Sequence, residues 1–197
     1  MTPSSSPTTG GRGDFDVRDI ARIAVFAALI VALGLPGSIT VGGSGVPITL
    51  QSLGVMLAGA VLGARRGSLA VLVVIALVAV GLPVLAGGRG GLGVFAGPTV
   101  GFLIGWLPAA AVIGWLTYRL LPRLSLIWAI LINVLGGIVV LYVCGILGLV
   151  IRTDLNPWQA LVANAPFLPG DLAKAVLAAI VATAVHRAFP QLARSSA

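Results

Sequence analysis

The last long apolar stretch, residues 169–185, reads Pro-Gly-Asp-Leu-Ala-Lys-Ala-Val-Leu-Ala-Ala-Ile-Val-Ala-Thr-Ala-Val and carries two charges near its start, Asp171 and Lys174. Its length and composition predict a membrane-spanning helix that begins near Pro169. An ionisable side chain inside such a helix costs about 2.5–3.5 kcal/mol on insertion scales, which makes it a candidate functional residue. Residues three positions apart lie on one helix face, so these two side chains can pair with each other or hold one polar ligand together.

The composition of the whole chain places it among integral membrane proteins. Of its 197 residues, 58% are hydrophobic and only 9% are charged, and the mean hydropathy is +1.12. A soluble domain carries about a quarter of charged residues. The net charge of +7 does not indicate nucleic-acid binding, because the cations fall in the gaps between apolar segments and form no basic face.

Apolar segments long enough to cross a membrane recur along the chain and predict an all-α fold with six transmembrane helices. We expect a disordered cytoplasmic tail at residues 1–16, the six-helix transmembrane domain at residues 17–190 and a second cytoplasmic tail at residues 191–197. The segments are about Ile20–Leu35, Leu50–Leu62, Ser68–Leu85, Pro98–Leu120, Leu126–Val150 and Pro169–Val185.

The distribution of cations between the two sides of this six-helix arrangement predicts its orientation. One side receives Arg12, Arg18, Arg22, Arg65, Arg66, Arg119, Arg123, Arg187 and Arg194. The other side receives only Arg89, Arg152 and Lys174. Cytoplasmic loops of membrane proteins carry the excess of cations, so both termini are expected in the cytoplasm.

The outer side holds the candidate functional residues. Arg89 lies in the glycine-rich loop 86–93, which either caps a ligand or simply connects two helices. Together with Asp171 and Lys174 it could converge at the outer mouth of the bundle. The charged pair itself has two interpretations, an internal ion pair that caps its own helix or a ligand site. We favour the ligand, because a buried ion pair alone is weak evidence for stabilisation.

Two further patterns concern partners and catalysis. Ala24, Ala28 and Ala32 repeat every four residues on the first helix, which suits close packing either inside the bundle or against an external helix.

Ser44, within a Gly-Gly-Ser-Gly stretch, and His186 could suggest a serine protease. The predicted topology puts them on opposite sides of the membrane, beyond hydrogen-bond reach, so we expect no enzyme activity and interpret His186 as a cytoplasmic anchor.

An ordered set of short motifs resembles the BioY family, the biotin-binding S components of energy-coupling factor transporters. The resemblance covers about residues 17–190 and departs from the family at Val100 and Ala173, outside the polar residues. It rests on Val-Pro-Ile-Thr-Leu-Gln at 46–51, Gly-Ala-Val-Leu-Gly-Ala-Arg-Arg-Gly at 59–67, Gly-Leu-Pro-Val at 81–84, Gly-Gly-Arg-Gly-Gly at 87–91, Gly-Pro-Thr-Val-Gly-Phe at 97–102 and Pro-Gly-Asp-Leu-Ala-Lys-Ala at 169–175.

The resemblance implies an S-component bundle in the bacterial cytoplasmic membrane that binds biotin near the outer face. The implied ligand residues are Asp171 and Lys174, with Arg89 in a lid between the third and fourth helices and, less directly, Gln51. The alanine row would dock onto a transmembrane T component driven by two ATPase subunits. Membrane lipid is the remaining implied partner, and neither a cofactor nor a metal is expected.

The chemistry of biotin agrees with these residue types. Asp171 can accept hydrogen bonds from the ureido N–H groups, and either Lys174 or Arg89 can donate to the ureido carbonyl or the carboxylate. Which cation meets which end stays open at this point. Two alternatives also stay open: a stand-alone secondary transporter of a small carboxylated vitamin, and a structural membrane subunit in which Asp171 and Lys174 form an internal strut. The first would normally show inverted repeats and an ion site, and the sequence shows neither.

Overall fold

The computed structural model describes residues 16–36, 39–40 and 47–189, and nearly all regular structure within these ranges is helical. A two-stranded antiparallel ribbon pairs β1 (Ile39–Thr40) with β2 (Pro47–Ile48). A π-helical segment (Leu135–Val140) joins α5 to α6, and a 3₁₀ turn (Ala165–Phe167) joins α7 to α8. The helices are α1 (Val17–Ala32), α2 (Gln51–Ala79), α3 (Gly93–Ala96), α4 (Val100–Leu120), α5 (Leu126–Val134), α6 (Leu141–Arg152), α7 (Pro157–Asn164) and α8 (Leu168–Ala188).

Helix α2 contains a sharp break that separates two arms. Gly63 has φ 83° and ψ 177°, a conformation outside the helical region that glycine adopts without steric cost. A Cβ atom built at Gly67 would lie 2.6 Å from the carbonyl oxygen of Ala58. In one straight helix, two residues nine positions apart, as Ala58 and Gly67 are, would be separated by about 13 Å. The chain therefore reverses at Gly63, and the first arm (residues 51–62) packs against the second arm (residues 64–79).

The first arm lies at the centre of the bundle. Every residue from Gln51 to Gly63 is buried, as expected for a helix that is apolar on all sides. Helices α1, α4 and α8 pack around α2. Close approach to α4 depends on Gly59, since a Cβ atom there would lie 2.6 Å from the Ala110 carbonyl oxygen. The core of the protein is thus built around this arm.

Within the part of the chain that the structure describes, four helices are long and apolar enough to cross a membrane: Gln51–Ala79, Val100–Leu120, Leu126–Arg152 and Pro157–Ala188. This number counts the two arms of α2 as one helix and omits α1, which has 16 residues. The six-span arrangement therefore stays a prediction. The predicted tail 191–197 and Ser44 lie outside the described residues, as does the predicted tail 1–16 except for its last residue.

The bend at Gly63 is held by side chains from two other helices. A broken helix leaves its last carbonyl groups without helical partners. The Tyr118 hydroxyl donates to the Val61 carbonyl at 2.7 Å, and His186 Nε2 lies 2.8 Å from the Ala60 carbonyl oxygen. His186 is only 8% exposed. The interpretation of His186 as an anchor at the cytoplasmic surface is therefore wrong, because the ring is buried and caps the first arm.

Candidate functional site

A cavity of about 90 Å³ opens at the end of the bundle where α2 and α8 begin. We call this the site end. The cavity walls combine an apolar surface with three charged side chains and several neutral polar groups. The lining residues are Thr49, Gln51, Ser52, Leu85, Arg89, Thr99, Phe102, Leu103, Trp106, Leu141, Tyr142, Phe167, Asp171 and Lys174. All four residues predicted to bind a ligand are therefore among those that line one cavity.

The first turns of α8 contribute the charged pair. Asp171 Oδ1 and Lys174 Nζ are 2.8 Å apart, and each residue is 7% exposed. Asp171 lies in the first turn of its helix, where the helix dipole favours a negative charge. The internal ion pair considered from the sequence does exist. It lines a cavity, however, so the pair remains in contact with space that a ligand can occupy.

Lys174 has no hydrogen-bond donor left for a ligand in this arrangement. An ammonium group carries three donors. The three bonds of Lys174 Nζ go to the Thr49 carbonyl at 2.6 Å, to Ser52 Oγ at 3.1 Å and to Asp171 at 2.8 Å. Lys174 can donate to a ligand only by releasing one of these partners.

Asp171 retains accepting capacity. Its Oδ1 atom accepts from Lys174, and its Oδ2 atom accepts from the Tyr142 hydroxyl at 2.7 Å. An ionised carboxylate offers about four acceptor positions, so about two of them stay open. The site therefore presents an oriented anion with free acceptor positions, which suits a ligand that carries N–H donors.

Arg89 reaches the cavity from a tight turn in the connection between α2 and α4. The backbones of Leu85 and Arg89 exchange two hydrogen bonds, of 3.0 and 3.2 Å. The turn passes through Gly87 and Gly88, whose φ angles of 77° and 69° explain the glycines at these two positions. Arg89 therefore lies at a defined place in the wall of the cavity.

The Arg89 guanidinium still has donors to offer. It donates from Nε to the Ala86 carbonyl at 3.2 Å and from NH1 to Thr99 Oγ1 at 3.4 Å. A guanidinium carries five donors, so three of them remain. Burial lowers the pKa of Arg89, although an arginine stays protonated in a protein. Arg89 is thus the cation that can meet an anionic or carbonyl group of a ligand without breaking an existing bond.

Gln51 lines the cavity but spends its polar atoms on the backbone. It is 1% exposed, and its Nε2 atom donates to the carbonyls of Ile30 at 3.3 Å and Val84 at 3.0 Å. Its Oε1 atom accepts from the Ala86 amide at 2.9 Å. Gln51 therefore ties the end of α1 to the loop that carries Arg89. Both of its donors are occupied, so its role in this geometry is to position that loop.

Four polar contributors to the cavity were not identified from the sequence. Thr49 and Ser52 accept hydrogen bonds from Lys174, Thr99 accepts one from Arg89, and Tyr142 donates one to Asp171. Nothing in the sequence indicated that the Tyr142 hydroxyl would meet Asp171. Thr49 and Ser52 lie within two residues of Gln51 at the start of an apolar segment, and this is the one signal that could have indicated them.

The alanine row on α1 is separate from this cavity. Ala24, Ala28 and Ala32 are all exposed on the outer face of the bundle. Their packing inside the bundle, one of the two alternatives, does not occur in the chain on its own. The prediction that they meet an external helix stays a prediction.

Comparisons with known proteins agree on one family. The BioY family profile matches residues 5–191. The chain is 56% identical to "Biotin transporter BioY" of Rhodobacter capsulatus, over 88% of this chain and 95% of that protein. It is 52% identical to "Biotin transporter BioY" of Rhizobium etli, over 89% of this chain and 96% of that protein.

A solved structure shares the fold. A crystal structure of the S-component for biotin from an ECF-type ABC transporter superposes with a TM-score of 0.83. It is 33% identical in sequence, and the match covers 87% of this chain and 92% of that one. Together with the profile match over most of the chain and the two close relatives, this likeness shows that the chain belongs to the BioY family.

Proposed function

We propose that this chain is the substrate-binding membrane subunit of a biotin uptake system. It captures biotin in the cavity at the site end and delivers it inward together with an ATP-driven module. The names of its relatives and the description of the matching structure support this substrate. The observation that carries the proposal is the Asp171 carboxylate, oriented by two donors and open to N–H groups, in the same apolar cavity as Arg89.

The unused donors and acceptors suggest an orientation for the ligand. The ureido ring of biotin carries two N–H donors, which match the open acceptor positions of Asp171. Its valerate chain ends in a carboxylate, which matches the remaining donors of Arg89, and a guanidinium binds a carboxylate well. Lys174 then acts mainly as the counter-ion of Asp171. The proposal therefore assigns the carboxylate end of biotin to Arg89 and the ureido end to Asp171.

The remaining wall of the cavity suits the apolar body of biotin. Phe102, Trp106 and Phe167 line it together with leucines, and ligand pockets usually combine such a surface with a few placed polar groups. Phe102 and Tyr142 meet edge to face, with ring centroids 6.4 Å apart. The thiophane ring and the aliphatic chain of biotin would occupy this apolar region.

The orientation in the membrane follows from six passes with both termini in the cytoplasm. Two observations support six passes: the reversal of the chain at Gly63, and the direction of the polar contacts along α8. Lys174 meets the residues at the start of the first arm, and His186 meets Ala60 near its end, so α8 and the first arm run parallel. With Arg65 and Arg66 beside the bend, the cation rule puts the site end outside.

Inward delivery requires partners, because the chain carries no nucleotide-binding motif that could power transport. A transmembrane T component and two ATPase subunits fit the matching S-component description. The exposed alanine row, Ala24, Ala28 and Ala32, is the proposed contact with the T component, since small residues let helices approach closely in lipid. The chain would reside in the bacterial cytoplasmic membrane, in contact with lipid and with no nucleic acid.

Isothermal titration calorimetry tests the proposed function directly. The detergent-purified chain should bind biotin with one site per chain, and it should not bind riboflavin, which lacks a carboxylate. The proposal is contradicted if the wild-type chain gives no heat of binding with biotin and also retains no biotin after mild purification. Biotin uptake by the chain alone into ATP-free liposomes would instead favour a stand-alone transporter.

A further inference from the structure

The two oxygens of the Asp171 carboxylate are held by different donors. The Tyr142 hydroxyl donates to Oδ2 at 2.7 Å, and Lys174 donates to Oδ1 at 2.8 Å. Because each oxygen has one donor, the carboxylate plane cannot turn without lengthening one of these bonds. One acceptor position on each oxygen stays available. The hydroxyl of Tyr142 therefore helps to decide where those open positions lie.

The ring of Tyr142 is itself fixed in place. It packs edge to face on Phe102, at an interplanar angle of 79°. Phe102 in turn fits against the backbone of Gly145, where a Cβ atom would overlap the phenyl ring. Both aromatic residues line the cavity. Tyr142 is thus a rigid donor in the cavity wall rather than a side chain that meets Asp171 by chance.

The π-helical segment just before Tyr142 sets the direction of this side chain. A π-helical turn contains one residue more than an α-helical turn, and this rotates the following helix by about 100°. Tyr142, the second residue of α6, lines the cavity, whereas the next residue, Val143, is 54% exposed. Single π-helical turns occur frequently at functional sites.

Close packing holds the π-helical segment in position. A Cβ atom at Gly137 would overlap Met56 of the first arm, and one at Gly136 would overlap Ile113 of α4. The segment therefore has its backbone pressed against two neighbouring helices. This contact transmits a fixed rotation to α6 and so to Tyr142.

We propose that Tyr142 is a positioning residue that sets the specificity of the Asp171 end of the cavity. The proposal rests on the proposed function and deepens it. With its hydroxyl donating to Oδ2, Tyr142 keeps Asp171 an acceptor with a fixed orientation, and the cavity selects a ligand end that carries N–H donors. A ligand that presents a methyl group or an acceptor at that position loses a charge-assisted hydrogen bond.

The test compares how strongly the cavity discriminates between three ligands. Calorimetry is run with biotin, with biotin methylated on one ureido nitrogen, and with biotin methyl ester, which lacks the anion. The variants are Tyr142→Phe, which removes only the hydroxyl, and Tyr118→Phe as a matched control. Tyr118 also donates its hydroxyl, to the Val61 carbonyl, and it does not line the cavity.

The wild-type chain should prefer biotin to the ureido-methylated ligand by about tenfold or more, the value of one hydrogen bond to a charged group. Tyr142→Phe should weaken biotin binding about five- to tenfold and reduce this preference by about threefold or more, because the unheld carboxylate can reorient. The preference for biotin over its methyl ester should stay at the wild-type value. Tyr118→Phe should leave both preferences unchanged.

Two results would overturn the positioning role: an unchanged preference against the ureido-methylated ligand in Tyr142→Phe, or no such preference in the wild type. If Tyr142→Phe weakens the binding of all three ligands by the same factor, the preference is unchanged, and Tyr142 then has only a structural role. If Tyr142→Phe does not fold, both tyrosines can be replaced by 3-fluorotyrosine, whose hydroxyl is a stronger donor. The preference for biotin over the ureido-methylated ligand must then change. If it keeps the wild-type value, the proposal is again overturned. A wild-type chain that binds no biotin would refute the proposed function instead.

Discussion

Replacing Asp171 by asparagine changes the charge of the site while almost preserving its shape. The carboxylate accepts from Lys174 at 2.8 Å and from Tyr142 at 2.7 Å. In the amide, one of these oxygens becomes an NH₂ group. It cannot face Lys174, because an ammonium group is only a donor, so it must take the position of Oδ2. There it turns a donor towards the space where a ligand N–H should be accepted.

The expected loss of affinity can be estimated from the bonds that disappear. A hydrogen bond to a charged group contributes about 1.5–3 kcal/mol, which corresponds to about a 10- to 100-fold rise in the Kd for biotin. The unliganded protein should also be less stable. Lys174 is 7% exposed and would lose its counter-ion, and removing one partner of a buried ion pair costs about 3–5 kcal/mol of unfolding free energy.

Calorimetry on detergent-purified Asp171→Asn measures the Kd, and thermal unfolding followed by circular dichroism measures the stability. Asp154→Asn is the matched control, because Asp154 is exposed in the connection between α6 and α7 and does not line the cavity. The control should bind biotin as the wild type does. A folded Asp171→Asn chain with the wild-type Kd would remove Asp171 from the binding site and refute the reasoning.

Three further substitutions test other parts of the site and the proposed docking surface. Arg89→Gln should weaken binding of biotin about tenfold but leave binding of biotin methyl ester nearly unchanged, by calorimetry; an equal loss for both ligands would contradict contact with the carboxylate. Gln51→Met should free the Ala86 amide and speed its hydrogen exchange, measured by mass spectrometry, and unchanged protection would disprove the positioning role. Ala28→Trp should prevent co-purification with a T component while biotin binding by the isolated chain persists. The control is Leu147→Trp, because Leu147 is 57% exposed on α6. An intact complex with Ala28→Trp would argue against docking through α1.

The charged residues of the site could be identified from the sequence because their positions are energetically unusual. Asp171 and Lys174 interrupt an apolar segment, and the predicted topology puts Arg89 on the side of the membrane that has few cations. Such positions carry a free-energy cost that only pairing or a ligand offsets. The structure places all three at one cavity. Convergence itself was the inference that depended most on topology. The three side chains do line one cavity, whereas its location on the outer side of the membrane stays a prediction.

The neutral part of the site could not be predicted in the same way. A tyrosine hydroxyl or a backbone carbonyl inside an apolar segment has no energetic signature until its partner is known. Tyr142 meets Asp171 only because a π-helical turn rotates α6, and the sequence of that turn, Leu-Gly-Gly-Ile-Val-Val, is also compatible with an α-helix. The backbone oxygen of Thr49 becomes a partner of Lys174 through contacts between residues 125 positions apart.

Helix boundaries show the same division between local and tertiary causes. The start of α8 at Leu168 lies one residue from the predicted Pro169, because a proline in the first turn is a local signal. Helix α7 was missed although its start has a capping box, with Asn156 as N-cap and Gln159 three residues later. The second and third spans were expected to be separated by a loop. They are joined directly at Gly63, because glycine alone reverses the chain there.

The role of Lys174 follows from combining its bonds with those of Asp171. A carboxylate that is to accept ligand N–H groups must stay ionised inside a largely apolar cavity, where an isolated charge is costly. Lys174 offsets that cost, and its two other donors reach Thr49 and Ser52 at the start of the first arm. Gln51, between them in sequence, holds the loop that carries Arg89. The anion that would accept the ureido ring and the cation that would bind the carboxylate are therefore connected through residues 49–52, so a change at either end of the ligand can be transmitted to the other.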